Sequence, residues 1–356
     1  MTDAYGASGG IACYNRDLLH ALAGCDDVER VVVLPRAGTA LGADVPATIV
    51  ALGARANEAA YSLEALGATL RRGPFDVIFC GHLYSVPLAA ALARLTRALL
   101  WVQLHGIEAW PRPGALVRRA AEHAGLVTAV SRHTRRRFLA WARVAPERVK
   151  VLPDTVDGRF QPGPKPADLL RRHRLENSRV LLTVSRLWAA ERYKGHDVVL
   201  RALGRLRATH PDVVYVIAGE GDDRPRLEQL ASELGVVELT RFLGRVPDEM
   251  LPALYRAADV FVMPSTGEGF GIAFLEAIAS GVPVVAGAAD GSSDPLRDGL
   301  DGRLIAPASE AEVADAVADA LAAGNRATAA TTPFARERFE TMVNALVAGL
   351  HRRPRT

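Results

Sequence analysis

Pro264-Ser-Thr-Gly-Glu-Gly-Phe-Gly-Ile-Ala-Phe-Leu-Glu-Ala-Ile-Ala-Ser-Gly-Val-Pro283 is the stretch whose pattern decides the fold. It follows a short apolar run, Asp259–Met263, crosses a glycine-rich turn and continues as a helix that Gly281 and Pro283 close. Gly267, Gly269 and Gly271 let backbone amides come close to a ligand, and the helix start behind them offers unpaired N–H groups to an anion. Glu268 precedes the helix and Glu276 lies in its second turn, eight residues on. Two carboxylates so placed do not face one phosphate; they suit hydroxyl groups of two sugars that flank it. A glycine turn followed by an exposed helix is the plain alternative, and it leaves the coincidence of these features unexplained.

Outward from that stretch, the same strand-then-helix alternation fills the chain. In the second half the apolar, often β-branched runs are Val180–Ser185, Val213–Ala218, Glu238–Leu243, Asp259–Met263, Val282–Ala286 and Gly302–Ile305. In the first half they are Arg30–Leu34, Thr48–Leu52, Asp76–Cys80, Leu99–Leu104, Leu126–Val130 and Arg148–Leu152. Near-continuous apolar strands separated by helices predict an α/β protein with parallel sheets covered on both faces. The run Gln161-Pro162-Gly163-Pro164-Lys165-Pro166 continues neither a helix nor a central strand and predicts a linker. The expected architecture is two doubly wound, Rossmann-like domains joined near residues 158–170, spanning 1–160 and 171–333, with a final helix over 334–356 that packs back on the first. Ligands of such sheets sit beyond the carboxyl ends of the strands, here expected in a cleft between the domains. The Ala-rich stretch Ala311–Ala330 is expected to be helical.

Further candidate groups lie at strand ends. Thr183-Val-Ser-Arg-Leu187 ends a buried strand, so Arg186 emerges at its carboxyl edge, and Tyr193-Lys-Gly-His196 opens the next helix with Lys194. Two cations there would neutralise a diphosphate, the arginine bidentately and the lysine as a point charge; ordinary surface charge is the competing explanation. Gly6-Ala-Ser-Gly-Gly-Ile11 precedes a helix and is a second phosphate-contacting candidate, through Gly9 and Gly10. Leu104-His-Gly-Ile-Glu108 puts His105 at another strand edge, where it would bond a sugar hydroxyl or serve structure alone.

The bulk numbers narrow the class. At 356 residues, 49% hydrophobic and 23% charged, the chain has the composition of a soluble globular protein of two domains. The longest apolar candidate, Val86 to Leu104, is broken by Arg94 and Arg97, so a helix and then a strand are expected rather than a membrane span. No basic-then-apolar leader is visible, and Cys13, Cys25 and Cys80 lack metal or redox spacing, which points to a cytoplasmic protein. The charge is +3 overall, yet residues 71–150 hold fourteen Lys/Arg against four Asp/Glu, an excess of ten. A helix with Arg132, Arg135, Arg136 and Arg143 beside Phe138, Leu139 and Trp141 has the make-up of a face that rests on an anionic membrane. A solvated arginine-rich face has the same make-up. Nucleic acid is not an expected partner, because interleaved stacking positions are missing.

Taken in order, these segments resemble the retaining two-domain glycosyltransferases of family four, with the GT-B fold. The matching residues are Gly9-Gly10-Ile11, His105-Gly106-Ile107-Glu108, Ser185-Arg186-Leu187, Lys194-Gly195-His196 and Ala218-Gly219-Glu220-Gly221. Phe242-Leu-Gly-Arg-Val246 and the Glu268–Glu276 block complete the set, which covers nearly the whole chain. The resemblance implies transfer from a nucleotide diphosphate sugar, GDP-mannose or a UDP-sugar, to a carbohydrate or lipid-linked hydroxyl acceptor, as in polysaccharide assembly. It implies that Gly9 and Gly10 approach the donor phosphates, that Arg186 and Lys194 hold the diphosphate, and that Glu276 binds the ribose. It further implies that Glu268 and His105 contact the donor sugar, that amides around Phe270, Gly271 and Ile272 bind phosphate or sugar oxygens, and that Val246 holds the base by its main chain. No metal is expected, since two cations can do a metal's work on the leaving group. Two departures stand out. Family members carry a hydrophobic strand before the Gly9-Gly10 loop, for which Met1-Thr-Asp-Ala-Tyr-Gly6 is no substitute, so a gap with an unpaired strand edge is expected in the first sheet. The usual Asn-Gly-Val-Asp is Asp154-Thr-Val-Asp157, with Thr155 at a glycine position. A non-catalytic sugar-nucleotide-binding module is the alternative, and a same-fold epimerase would need acid–base carboxylates that are not found.

Overall fold

The computed structural model describes residues 9–36, 45–55, 57–306, 309–324 and 332–351. By its contacts the chain forms two units, 1–155 with 336–356, and 156–335. The proline-rich run 161–166, expected as the join, belongs to the second unit, where Lys165 Nζ is 2.7 Å from both carboxylate oxygens of Asp259.

The first unit runs α1 (Gly10–Ala23), β1 (Val31–Val33), β2 (Ile49–Ala51), α2 (Glu58–Arg72), β3 (Val77–Cys80), α3 (Val86–Thr96), β4 (Leu99–Leu104), α4 (Ala115–Glu122), β5 (Leu126–Ala129), α5 (Arg132–Leu139) and β6 (Val149–Val151). Strands β3-β4-β5-β6 form one parallel sheet in that order, and β1-β2 form a separate parallel pair. Strand β4 is buried along nearly its full length, as a central parallel strand must be, and Val102 and Leu104 join Phe138 and Val127 in the core beneath it. Among the described residues β1 and β3 each have a strand neighbour on one side only. Residues of both, including Val31, Val33, Val77 and Phe79, line a cavity of about 1620 Å³, together with residues of α1, α2 and α3. Residues 1–8, on which the expected absence of a first strand falls, lie outside the described residues.

The second unit contains α6 (Ala167–His173), β7 (Arg179–Val184), α7 (His196–Thr209), β8 (Val213–Ala218), α8 (Arg224–Glu233), β9 (Thr240–Gly244), α9 (Leu251–Ala257), β10 (Val260–Met263), α10 (Ile272–Ala279), β11 (Val284–Gly287), β12 (Arg303–Ile305) and α11 (Glu310–Ala323). Its six parallel strands lie in the order β12-β11-β10-β7-β8-β9. The chain therefore winds outward from β7 to β9, returns to β10 beside β7, and winds outward the other way. The strand order reverses between β7 and β10, and the carboxyl ends at such a switch point are where ligands of doubly wound sheets bind. Val199, Leu203, Tyr215, Ile217 and Val262 fill the core behind it. The last helix, α12 (Arg336–His351), packs on α1 of the first unit, where Phe339 meets the Tyr14 ring edge-on and Arg336 pairs with Asp17 at 3.2 Å.

Two expectations change on contact with the structure. In the basic stretch Phe138 is fully buried, Trp141 donates its indole N–H to the Ala109 carbonyl at 2.9 Å, and Arg135 donates to the Val149 and Pro146 carbonyls. The aromatics and one arginine therefore serve the core of the first unit, and Arg132, Arg136 and Arg137 are the exposed cations of α5. Thr155 is buried and has no positive φ, so its position does not require glycine. The apolar stretch from Val86 divides into α3 and β4, and no helix of the described residues is long and apolar enough to cross a membrane.

Candidate active site

At the carboxyl end of β7 the chain reaches Ser185 and Arg186, then turns through Ala189–Lys194 into α7. The turn is fastened from below: His196 Nε2 lies 2.9 Å from Ser185 Oγ, and burial pulls that imidazole down to about 4, so it is neutral near pH 7. From β10 the glycine-rich loop meets the same turn. The Thr266 amide donates to the Tyr193 carbonyl at 2.9 Å, and a Cβ on Gly195 would stand 2.6 Å from the Pro264 carbonyl oxygen. Only glycine permits that approach, and it brings Lys194 to Glu268: Nζ to Oε1 is 2.5 Å, with both side chains almost nine-tenths buried.

Two cations and two carboxylates thus converge at the switch point. Arg186 donates to Glu191 Oε1, while Glu191 Oε2 is 3.9 Å from Lys194 Nζ. Arg186 remains half exposed and stacks over the Trp188 ring, 4.5 Å from its centroid. The glycine loop is clamped by Asp290 at the end of β11. Its Oδ2 accepts from Ser265 Oγ at 2.6 Å and from the Glu268 amide at 2.7 Å, and its Oδ1 accepts from the Ser292 amide at 2.9 Å. Burial raises this carboxyl, and those four donors, counting the Ser292 hydroxyl, oppose the rise. Gly291 completes the clamp by donating to the Glu268 carbonyl at 2.8 Å; a Cβ there would sit 2.1 Å from the Gly269 carbonyl oxygen.

Behind the loop, Gly271 caps the start of α10 with φ 94° and Ile272 is its first helical residue, so the first amides of the helix point back toward Phe270 and Gly271. Phe270 is buried, edge-on to Phe334. Glu276 follows one turn on and accepts a hydrogen bond at 2.6 Å from the hydroxyl of Tyr255, which is itself fully buried between Phe160 and Phe261. Burial pushes the Glu276 carboxyl up to about 7, against the pull of Tyr255 and Arg159 toward the ionised form. Val246 lies partly buried in the loop just beyond β9.

The first unit carries the other candidates. Gly9 caps α1 with φ 105° and Gly10 begins that helix. His105, at the carboxyl end of β4, has Nε2 3.2 Å from the Gly81 carbonyl and its amide bonded to Glu108 Oε1 at 2.6 Å. A carbonyl only accepts, so Nε2 carries the proton and Nδ1 keeps its lone pair. Burial, reinforced by His82, pulls the ring down to about 3. Tyr14 meets it edge-on, 5.1 Å between centroids, and is held by a buried chain in which its hydroxyl and that of Thr128 both donate to Gln103 Oε1 while the Trp101 indole donates to Thr128. The structure thus groups Arg186, Lys194 and Glu268 directly, with Phe270 and Gly271 leading into the following helix and Ile272 and Glu276 on it. Glu191, Asp290 and Tyr255 are additions that sequence reasoning missed. Among the described residues no cluster of His, Cys, Asp and Glu has the arrangement of a metal site.

Residues 168–334 match the family model of glycosyl transferases group 1, and residues 8–160 match that of glycosyltransferase family 4. Over 268 residues the chain is 37% identical to the GDP-mannose-dependent alpha-(1-6)-phosphatidylinositol monomannoside mannosyltransferase of Mycolicibacterium smegmatis, covering 71% of this chain and 69% of that protein. It is also 37% identical over 255 residues to a D-inositol 3-phosphate glycosyltransferase of Geodermatophilus obscurus, covering 67% and 55% of the two chains. In fold it is similar to Anabaena Alr3699/HepE, solved in complex with UDP, with a TM-score of 0.75 at 23% identity over 98% of this chain and 99% of that one.

Proposed function

The chain belongs to glycosyltransferase family 4 and has the GT-B fold, and from that premise we propose that it transfers a sugar from a nucleotide diphosphate sugar to a hydroxyl of an inositol- or lipid-linked acceptor, with retention of configuration. The observation that carries the reading is the meeting of Arg186, Lys194 and Glu268 at the β7–β10 switch point. Breaking the anomeric C–O bond leaves positive charge on the sugar ring and negative charge on the departing diphosphate. Arg186 and Lys194 stabilise the departing charge together with the first amides of α10. Glu268 accepts hydrogen bonds from the donor sugar, and Glu276, aimed by Tyr255, accepts from the ribose. Val246 holds the base through its main chain. In the first unit Gly9 and Gly10 serve the donor phosphates, and the neutral His105 ring offers Nδ1 to a sugar hydroxyl. The acceptor oxygen attacks the face the diphosphate leaves, and the leaving phosphate oxygen takes the acceptor's proton, so no protein nucleophile is needed.

GDP-mannose is the expected donor: the relative named for it shares 37% identity over most of its length, whereas the UDP complex supports the fold alone. The test is a panel of GDP-mannose, UDP-glucose, UDP-galactose and UDP-N-acetylglucosamine, scored by thermal shift and by release of nucleoside diphosphate. One donor that stabilises the chain and is turned over supports the enzyme reading, whereas binding without turnover supports a non-catalytic module. Arg186→Ala and Lys194→Ala should each weaken donor binding about tenfold to a hundredfold, as loss of a charge-assisted hydrogen bond does. Unchanged affinity in both variants would sink the diphosphate assignment.

A further inference from the structure

We propose that Glu191 is a built-in counter-anion of the diphosphate site, which engages Arg186 and Lys194 when no anion is bound, yields them to the diphosphate, and so speeds departure of the nucleoside diphosphate product. This rests on the assignment of those two cations made above. Glu191 sits inside the turn that links β7 to α7, with φ −114° and ψ 24°, off the helical values of its neighbours. Its side chain is nine-tenths buried. One carboxylate oxygen takes the Arg186 guanidinium; the other is buried, lies 3.9 Å from Lys194 Nζ and accepts no hydrogen bond.

A purely structural ion pair looks different, and this unit supplies one a few residues away. Asp223, nineteen-twentieths buried, accepts from Arg192 Nε at 2.8 Å and from both forks of Arg226 at 2.7 and 2.6 Å, so each of its oxygens is satisfied. Buried carboxylates that serve only the fold complete their bonds in this way, because an unmet acceptor is costly. Glu191 keeps one acceptor unmet while facing two cations, one of which, Arg186, is half exposed and able to swing. The charges also balance: Arg186 and Lys194 against Glu191 and Glu268 leave the cluster neutral. An incoming diphosphate gains the cations only as the carboxylates release them, and once it is bound Glu191 stands beside it as a like charge. That repulsion weakens the complex with free nucleoside diphosphate and favours its release.

The experiment is titration calorimetry of the whole protein with GDP and with UDP, comparing the wild type with Glu191→Gln and Glu191→Asp. Glutamine keeps the shape and the acceptor for Arg186 but removes the charge, so Glu191→Gln should bind the nucleoside diphosphate about tenfold more tightly. Aspartate keeps the charge and should gain nothing. A gain in affinity is an effect that structural damage does not mimic. Equal or weaker binding by Glu191→Gln would overturn the proposal and make Glu191 a support for Arg186, as would an equal gain in Glu191→Asp. If neither the wild type nor any variant binds a nucleoside diphosphate, the diphosphate site itself is refuted, and this inference goes with it.

Discussion

Donor affinity should depend on pH through a single carboxyl, Glu276. Desolvation of its partly buried side chain holds it near 7 instead of the usual range around 4.5, against the opposing pull of the Tyr255 hydroxyl. A ribose hydroxyl that donates to Glu276 needs the ionised form, so binding is linked to loss of a proton. With a midpoint of about 7 the ionised fraction falls about tenfold between pH 8 and pH 6, which costs the donor about 1.4 kcal/mol. His105 and His196 titrate near 3 and 4, well below this window, and the diphosphate diester of a nucleotide sugar has no proton to exchange there. Stability without donor moves the other way. A carboxyl raised in the folded state contributes most below about pH 4.5, and that contribution is lost as pH rises through about 7. The assay is calorimetric titration with the preferred donor from pH 6 to pH 8, on the wild type, Glu276→Gln and Tyr255→Phe. The wild type should weaken about tenfold toward pH 6, Glu276→Gln should be weak and flat, and Tyr255→Phe should shift the midpoint upward, because it removes the donor that favours the carboxylate. A flat wild-type profile, or the same slope in Glu276→Gln, would refute the assignment of Glu276 to the ribose.

Two other expectations follow from the geometry. Gly291→Ala puts a Cβ 2.1 Å from the Gly269 carbonyl oxygen, so the clamp on the glycine loop must spread; we expect a loss of about 1–3 kcal/mol, a fall in Tm of roughly 3–10 °C, and weakened donor binding in the same protein. If Gly291→Ala melts and binds like the wild type, the loop is not held as described. The first unit should sediment the protein with phosphatidylglycerol vesicles at low salt and not with phosphatidylcholine vesicles, through Arg119, Arg132, Arg136, Arg137 and the 72%-exposed Leu116. Failure to sediment with the anionic vesicles would remove the membrane reading.

Much of this architecture is legible in the sequence. All twelve strands of the described residues fall where short β-branched runs lie between helical patterns, usually within a residue or two at each end, because buried parallel strands have little choice but to be continuously apolar. Lys194 and Glu268, 74 residues apart, both follow the carboxyl ends of predicted strands, and the switch point brings them together. Groups whose importance is purely tertiary were not legible. Asp290 reaches back 22 residues to the Glu268 amide and 25 to Ser265, and Tyr255 reaches 21 to Glu276. An Asp before a glycine and a Tyr in a short helix carry no mark of such work. Glu191 is illegible for a related reason: in sequence an acidic residue in a turn is indistinguishable from solvated charge. The basic stretch erred in the opposite direction, since counting arginines does not reveal that Arg135 is spent on backbone carbonyls and Phe138 on the core.

Among the described residues the strands of the first unit form two separate ribbons, β1-β2 and β3-β4-β5-β6, and the separation bears on its mechanics. A hydrogen-bonded ladder makes neighbouring strands open and close as one body, and among the described residues no ladder joins β1-β2 to β3-β4-β5-β6. Among the described residues, those of α1, α2 and α3 line the cavity that residues of β1 and β3 also line. Where no backbone ladder couples them, the resistance of β1 and β2 to opening rests on helix packing, and hydrogen exchange should find these two strands opening before β3-β4-β5-β6.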